Sequence, residues 1–184
     1  MTLASAGGAS PAQDDPLLRP ILPADAAKWL GAQAPLRLYG NTYLVGFQGL
    51  NVGLIRTDAG LILIDGAVPQ AVHAIEANIR RLGFRVQDVT LILATEGHFD
   101  HAGGIAALTR DSGATVIASI PTAEILRRGQ PAADDPQIAY GVAYPALPRV
   151  RGIADGTKLR LGATEVTGRA TPGHTLGSMS RTWR

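Results

Sequence analysis

One polar loop, placed directly after an apolar stretch, constrains this chain more than any other feature. Val89–Leu93 is almost entirely apolar, as expected of a buried strand, and the following loop carries two carboxylates and two imidazoles: Glu96, His98, Asp100 and His101. Side chains two positions apart in an extended loop point the same way, so Glu96 and His98 can converge on one ion. Asp100 and His101 lie one turn further on and can serve a second ion. Zinc binds imidazole nitrogen and carboxylate oxygen, so the loop predicts a metal centre.

Two positions elsewhere in the chain are candidates for the same site. His174 lies in a sharp Thr-Pro-Gly-His loop after a predicted strand, where it is either a metal ligand or an ordinary loop residue. Asp65 follows the apolar stretch Leu61–Ile64, where it either caps a turn or orients a metal ligand by a hydrogen bond. The remaining histidine, His73, falls on a predicted helix and is expected to have no role in metal binding.

Hydrophobic periodicity predicts an α/β fold with a mixed sheet. Strands and helices alternate in the first part of the chain, and hairpins are predicted at both ends. Pro and Gly mark a long loop over residues 129–150. The predicted strands are 41–47, 51–57, 61–64, 89–93, 114–118, 158–161 and 164–170, and the main predicted helices are 69–82, 105–110 and 121–128.

Composition excludes several classes of protein. Hydrophobic residues make up 46% of the 184 residues and charged residues 17%, which is enough for a packed core and excludes global disorder. The net charge of +2 comes without a basic stripe, so no nucleic-acid partner is expected. No apolar stretch is long enough for a membrane span. The chain contains no cysteine, so neither disulfides nor thiolate metal ligands can form.

Three motifs, taken in order, resemble the metallo-β-lactamase superfamily. They are a strand ending in Asp65-Gly66, the loop Glu96-x-His98-x-Asp100-His101 in place of an H-x-H-x-D-H loop, and the segment Thr171-Pro172-Gly173-His174. The flanking residues 54–60 and 171–178 are most similar to subclass B3. The resemblance runs from about residue 36 to residue 183 and implies a four-layer αββα sandwich over residues 36–184. It also implies that the second half of the sandwich is incomplete in this chain. Residues 1–35 are then an N-terminal tail or extension.

The resemblance implies a zinc-dependent hydrolase that opens the β-lactam ring, with a zinc-bound hydroxide attacking the amide carbonyl. The first zinc would use Glu96, His98 and His174. The second would use Asp100, His101 and a later histidine that these 184 residues do not include, so at most one tightly bound zinc is expected here. Asp100 would orient the nucleophile and handle its proton. Glu96 stands where the family has histidine, and the competing interpretation is that its side chain faces solvent.

Several further expectations follow from the same resemblance. Phe47 and Gln48 would lie at the rim of the cleft as substrate contacts, and the protein would act in the periplasm or outside the cell, although no complete signal peptide is present. The metal loop does not define the substrate. A glyoxalase-II-like thioesterase, a lactonase and an inactive zinc-binding remnant therefore remain alternatives. An incomplete sandwich would leave one face of the sheet uncovered, so poor solubility or a dimer-like association is expected, and the oligomeric state itself is left open.

Overall fold

The computed structural model describes residues 15–21, 27–140 and 142–184 of the chain. Seven strands form a first sheet in the order β1 to β7, and three strands form a second sheet in the order β10-β9-β8. The first sheet comprises β1 (Leu36–Tyr39), β2 (Thr42–Leu44), β3 (Gly53–Thr57), β4 (Gly60–Ile64), β5 (Val89–Leu93), β6 (Thr115–Ser119) and β7 (Arg151–Ile153). The second comprises β8 (Lys158–Leu161), β9 (Thr164–Ala170) and β10 (Met179–Trp183).

The direction of the strands changes within the first sheet. Neighbours from β1 to β4 are antiparallel, whereas those from β4 to β7 are parallel. The second sheet is antiparallel throughout. Helical segments make the connections that parallel strands require. These are α1 (Val72–Arg81), α2 (Phe99–Ala102), α3 (Ile105–Ser112) and α4 (Ile120–Arg128), with the 3-10 turns Pro69–Ala71, Val86–Asp88 and Ile138–Tyr140. A further helical turn at 27–29 precedes β1.

Two hydrophobic cores divide the molecule into layers. Alternate residues of a strand face opposite sides of a sheet, so Leu63 packs towards the helices while Ile62 faces the second sheet. Ile75 of α1 lies in the core between the helices and the first sheet. Val166 and Met179 of the second sheet pack in the other core. The described layers are thus helices, sheet and sheet, which confirms the predicted mixed α/β sandwich.

The helix predicted over 69–82 forms as a 3-10 turn at Pro69–Ala71 followed by α1, so its α-helical part is shorter at both ends. Pro69 opens the turn that leads into it, and Gly83 follows it with a positive φ of 85°. Its buried Asn78 donates hydrogen bonds to the carbonyl oxygens of Val45 (3.0 Å) and Gln33 (3.1 Å). These bonds fasten the helix to the segments on either side of β1 and β2.

Part of the predicted N-terminal extension packs on the domain. Leu18 is buried in the helix-side core, and Ile21 exchanges backbone hydrogen bonds with the side chain of Gln70 at 3.2 and 2.9 Å. Arg110 pairs with Asp15. The rest of that predicted extension, residues 1–14 and 22–26, lies outside the described residues. Within the described ranges, no helix is both long and apolar enough to cross a membrane.

Candidate metal centre

The predicted site residues gather at the carboxyl ends of the parallel strands. Asp65 follows β4 directly, and the loop carrying Glu96 follows β5. These two strands pair in parallel, so their carboxyl ends meet at one edge of the sheet. His174 arrives from the loop between β9 and β10, and Met179 N fixes that loop by donating to Thr95 O at 2.9 Å. Ligand sites of α/β sheets commonly occupy this edge.

The backbone beneath the site has rare conformations and is closely packed. Asp65 and Ala67 have positive φ angles of 64° and 52°, which non-glycine residues rarely adopt. Gly66 N donates to His101 O at 2.8 Å, and Gly104 N donates to Ala67 O at 3.0 Å. A Cβ atom on Gly104 would lie 2.2 Å from the carbonyl oxygen of Gly66, so only glycine fits there. Strained backbone of this kind clusters at functional sites.

A first group of donor atoms consists of Glu96, His98 and His174. Nδ1 of His98 lies 3.1 Å from Glu96 Oε2 and 3.1 Å from Nε2 of His174. Nε2 of His174 is also 3.4 Å from Glu96 Oε1. The three donor atoms lie within 4.8 Å of one another, close enough to surround one ion. Glu96 is only 4% exposed, so the interpretation that it faces solvent is wrong.

A second group of donor atoms consists of Glu96, Asp100 and His101. His101 Nε2 lies 3.3 Å from Glu96 Oε1 and 3.8 Å from Asp100 Oδ2. On its other side, His101 Nδ1 lies 2.9 Å from Asp65 Oδ2. Asp65 also accepts hydrogen bonds from the backbone N–H and the hydroxyl of Thr95, at 2.7 and 2.6 Å. Asp65 therefore fixes the orientation of His101 as well as the entry to the loop.

Asp135 was not identified from the sequence. It orients His98 in the same way that Asp65 orients His101. Its Oδ2 lies 2.9 Å from His98 Nε2, and its Oδ1 accepts a hydrogen bond from Gln137 N at 2.7 Å. Both Asp135 and His98 are buried. Asp135 sits in the long Pro- and Gly-containing loop, where an Asp-Asp pair is the only sequence signal. A neighbouring Tyr144 hydroxyl donates to Gly97 O at 2.7 Å and holds the metal loop from the same side.

The carboxylates raise the pKa values of the two histidines of the metal loop. At His98 the largest cause is contact with Glu96, which outweighs burial and raises the pKa from 6.5 to about 9. At His101 burial is the largest effect and lowers the pKa, but Asp65, Asp100 and Glu96 together raise it to about 9. Burial raises the pKa of Glu96, yet its three histidine neighbours leave that pKa below the usual value. The site therefore favours positive charge at its centre.

The donor set fits a divalent metal ion. Oε2 of Glu96 is buried and makes no hydrogen bond of acceptable geometry, although it lies 3.1 Å from His98 Nδ1. A buried carboxylate oxygen left in this way is costly unless a cation binds it. Imidazole nitrogen and carboxylate oxygen are also the donors that zinc takes in catalytic sites.

Other predicted residues lie outside these groups. Phe47 is buried in the helix-side core, where packing accounts for its apolar side chain, and its contact with substrate stays a prediction. Gln48 is exposed, and its backbone N–H donates to Gly31 O at 3.2 Å. His73 is exposed on α1 beside Glu76, away from both donor groups.

Comparison with known proteins agrees with this fold. The model of the metallo-beta-lactamase superfamily matches residues 45–181. One similar solved structure is a B3 metallo-beta-lactamase with an active-site glutamic acid: identity is 57%, the TM-score is 0.90, and the match covers 92% of this chain and 64% of that chain. The Rm3 metallo-beta-lactamase is 46% identical with a TM-score of 0.84, over 86% of this chain and 59% of that one. BJP-1 of Bradyrhizobium japonicum, a subclass B3 metallo-beta-lactamase, is 38% identical with a TM-score of 0.80, over 86% and 59%.

The structure is a sandwich of helices and sheets that carries, at the ends of its strands, His and Glu side chains that could hold a metal ion. The chain belongs to the metallo-beta-lactamase superfamily. It spans between 59% and 64% of the length of these three solved relatives.

Proposed function

We propose that this chain belongs to a zinc-dependent hydrolase of the subclass B3 type, which opens the β-lactam ring of antibiotics. The observation that carries the proposal is the convergence of Glu96 with His98 and His174 on one side and with Asp100 and His101 on the other. The similar solved structure with an active-site glutamic acid supports the same assignment, since this chain has glutamate at the first position of its metal loop.

In this proposal Glu96, His98 and His174 hold a first zinc ion, and Asp100 and His101 contribute to a second. Zinc supplies, when bound, a Lewis acid and a water nucleophile that ionises near neutral pH. The residues around the ligands determine which nitrogen faces the metal. Asp135 accepts the Nε2 proton of His98 and leaves the Nδ1 lone pair free for the metal side. Asp65 accepts the Nδ1 proton of His101, so Nε2 of His101 points to the site.

Two other features suit a hydrolase. Asp100 is partly exposed, so its carboxylate can contact a water molecule and accept its proton as a general base. The His174 side chain is 57% exposed, whereas those of Glu96 and His98 are buried, which makes the His174 side the open side of the site. A substrate carbonyl would approach from that side.

The test is a comparison of substrates on the zinc-loaded protein. Hydrolysis of a chromogenic cephalosporin is measured beside a glutathione thioester and an acyl lactone, and His98→Ala serves as the variant without a complete first site. We expect turnover of the cephalosporin alone, abolished in His98→Ala and by a chelator. Preferred turnover of the thioester or the lactone would contradict the proposal, as would zinc retention without turnover of any of the three.

A further inference from the structure

Glu96 is the one residue that belongs to both groups of donor atoms in the described part of the chain. Its Oε1 lies nearly midway between the groups, 3.4 Å from His174 Nε2 and 3.3 Å from His101 Nε2. Its Oε2 lies 3.1 Å from His98 Nδ1. One side chain thus faces both potential ions.

The chemistry of the carboxylate allows this sharing. An ionised carboxylate has two oxygens with about four lone-pair positions, whereas a neutral imidazole offers a single acceptor nitrogen. A histidine at position 96 could therefore serve only one ion, but a glutamate can bind one ion through each oxygen or both through one. The Glu96 side chain is buried, and its Oε2 makes no hydrogen bond of acceptable geometry, so this oxygen has a free position for a cation.

We propose that the Glu96 carboxylate is shared by two metal ions, the first also held by His98 and His174 and the second by Asp100 and His101. This inference rests on the proposed zinc site but concerns metal binding only. Each ion then has three protein ligands from the described residues, the number found in catalytic zinc sites. Only one tightly bound ion was expected from the sequence, because Glu96 was assigned to the first zinc alone.

The positions of the histidines support the sharing. Each imidazole ring has a fixed carboxylate at one of its nitrogens: Asp135 at Nε2 of His98, and Asp65 at Nδ1 of His101. Their remaining nitrogens are thereby aimed at the two oxygens of Glu96 from different directions. The 3.3 Å approach of Glu96 Oε1 to His101 Nε2 places the same carboxylate beside a ligand of the second ion.

The experiment is a zinc titration of the metal-stripped full chain in competition with a chromogenic chelator. Wild type is compared with Glu96→His, a one-ion ligand at the same place, and with Glu96→Gln, which keeps the size but loses the charge. His101→Ala is the matched control that removes a ligand of the second ion only. Circular dichroism establishes that each variant is folded.

We expect two equivalents of zinc in wild type. Glu96→His should keep the first and lose at least about tenfold in affinity for the second, whereas Glu96→Gln should weaken both. His101→Ala should weaken the second alone. Substitution by two cobalt ions adds a spectroscopic signature, since ions joined by one carboxylate couple magnetically. That coupling should disappear in Glu96→His.

Two results would overturn the inference: wild type that binds only one ion at saturating zinc, or Glu96→His that binds both ions as tightly as wild type. Neither result depends on substrate. If Glu96→His loses the second ion but the wild type hydrolyses no cephalosporin, the shared ligand is supported and the proposed function is refuted.

Discussion

Nε2 of His98 lies 2.9 Å from a carboxylate oxygen of Asp135, and both side chains are buried. This contact joins the metal loop to a loop that follows α4, far away in the sequence. It sets the imidazole so that Nδ1 faces Glu96 and His174. The arrangement repeats on the other side of the site, where Asp65 holds His101.

Replacing Asp135 should therefore weaken the first metal site without removing any ligand. Asp135→Asn keeps an acceptor for Gln137 N, but its amide can donate to His98 Nε2 and favour the wrong tautomer. We expect a loss of roughly 10- to 100-fold in zinc affinity, measured by chelator competition. Asp134→Asn, at the exposed neighbouring position, is the control and should change little. Equal effects of the two substitutions would show that Asp135 has no orienting role.

Asp65 combines a backbone role with a hydrogen-bonding role, and two variants separate them. Asn adopts the positive φ of 64° more readily than Ala does and keeps one acceptor oxygen, so Asp65→Asn should lose less stability than Asp65→Ala. Asp65→Ala loses both the tolerance of this conformation and the acceptor of three hydrogen bonds, and should lose about 2 kcal/mol or more in the free energy of unfolding.

Both Asp65 variants should bind the second zinc ion more weakly, because His101 loses its fixed acceptor. Urea unfolding and zinc titration on the same preparations distinguish the effects. If Asp65→Asn binds the second ion as tightly as wild type, Asp65 does not orient His101 for metal binding.

Gly104 packs against the turn that carries Asp65, with no room for a side chain. A Cβ atom there would meet the Gly66 carbonyl oxygen at 2.2 Å, so Gly104→Ala forces the two backbone segments apart. We expect a cost of about 1–3 kcal/mol in the free energy of unfolding. Gly173→Ala is the control, since a Cβ at Gly173 meets nothing within 4 Å and its φ is not positive. Similar melting temperatures for the two variants would contradict the tight packing.

Glu76 on α1 gives a prediction for pH. Burial is the main cause that raises its pKa, and the nearby Asp111 adds to it. A carboxyl group whose pKa is higher in the folded state contributes stability at low pH and loses it as pH rises through the folded pKa. Charged Glu76 should therefore destabilise the protein at neutral pH, despite Arg80 at 3.6 Å.

Glu76→Gln should accordingly raise the free energy of unfolding at pH 7.5 by about 1 kcal/mol, and the gain should shrink towards pH 5. Melting temperatures recorded over this range provide the measurement. Glu124→Gln, at an exposed glutamate on α4, should show no such trend. A gain that stays constant with pH would refute the assignment to Glu76 ionisation.

Much of the fold is predictable from local sequence. The structure gives strands at Val89–Leu93, Lys158–Leu161 and Thr164–Ala170, with the same bounds that hydrophobic patterning predicts. Strands β1, β7 and β10 were missed, and two of them carry little local signal: β1 is exposed along its whole length, and β7 has only three residues. Such strands exist because a neighbour supplies their hydrogen bonds, which local patterning does not record.

In the site, too, local features were predicted from the sequence and features that depend on distant contacts were missed. The sequence predicts the ligand candidates because their residue types and spacing are local, and the structure brings Glu96, His98 and His174 together. The predicted extended loop is only partly correct, because residues Phe99–Ala102 form a short helix that begins after His98. Asp135 was missed because its contact with His98 depends on how a long irregular loop returns to the sheet edge.

In the proposed function, Glu96, His98 and His174 form a zinc site in which glutamate is a ligand. Anomalous diffraction at the zinc edge, from crystals of the zinc-loaded chain, locates the ion. We expect a zinc peak within about 2.2 Å of a Glu96 carboxylate oxygen, His98 Nδ1 and His174 Nε2. A zinc ion bound to the two histidines with Glu96 turned away, or a peak elsewhere in the molecule, would contradict it.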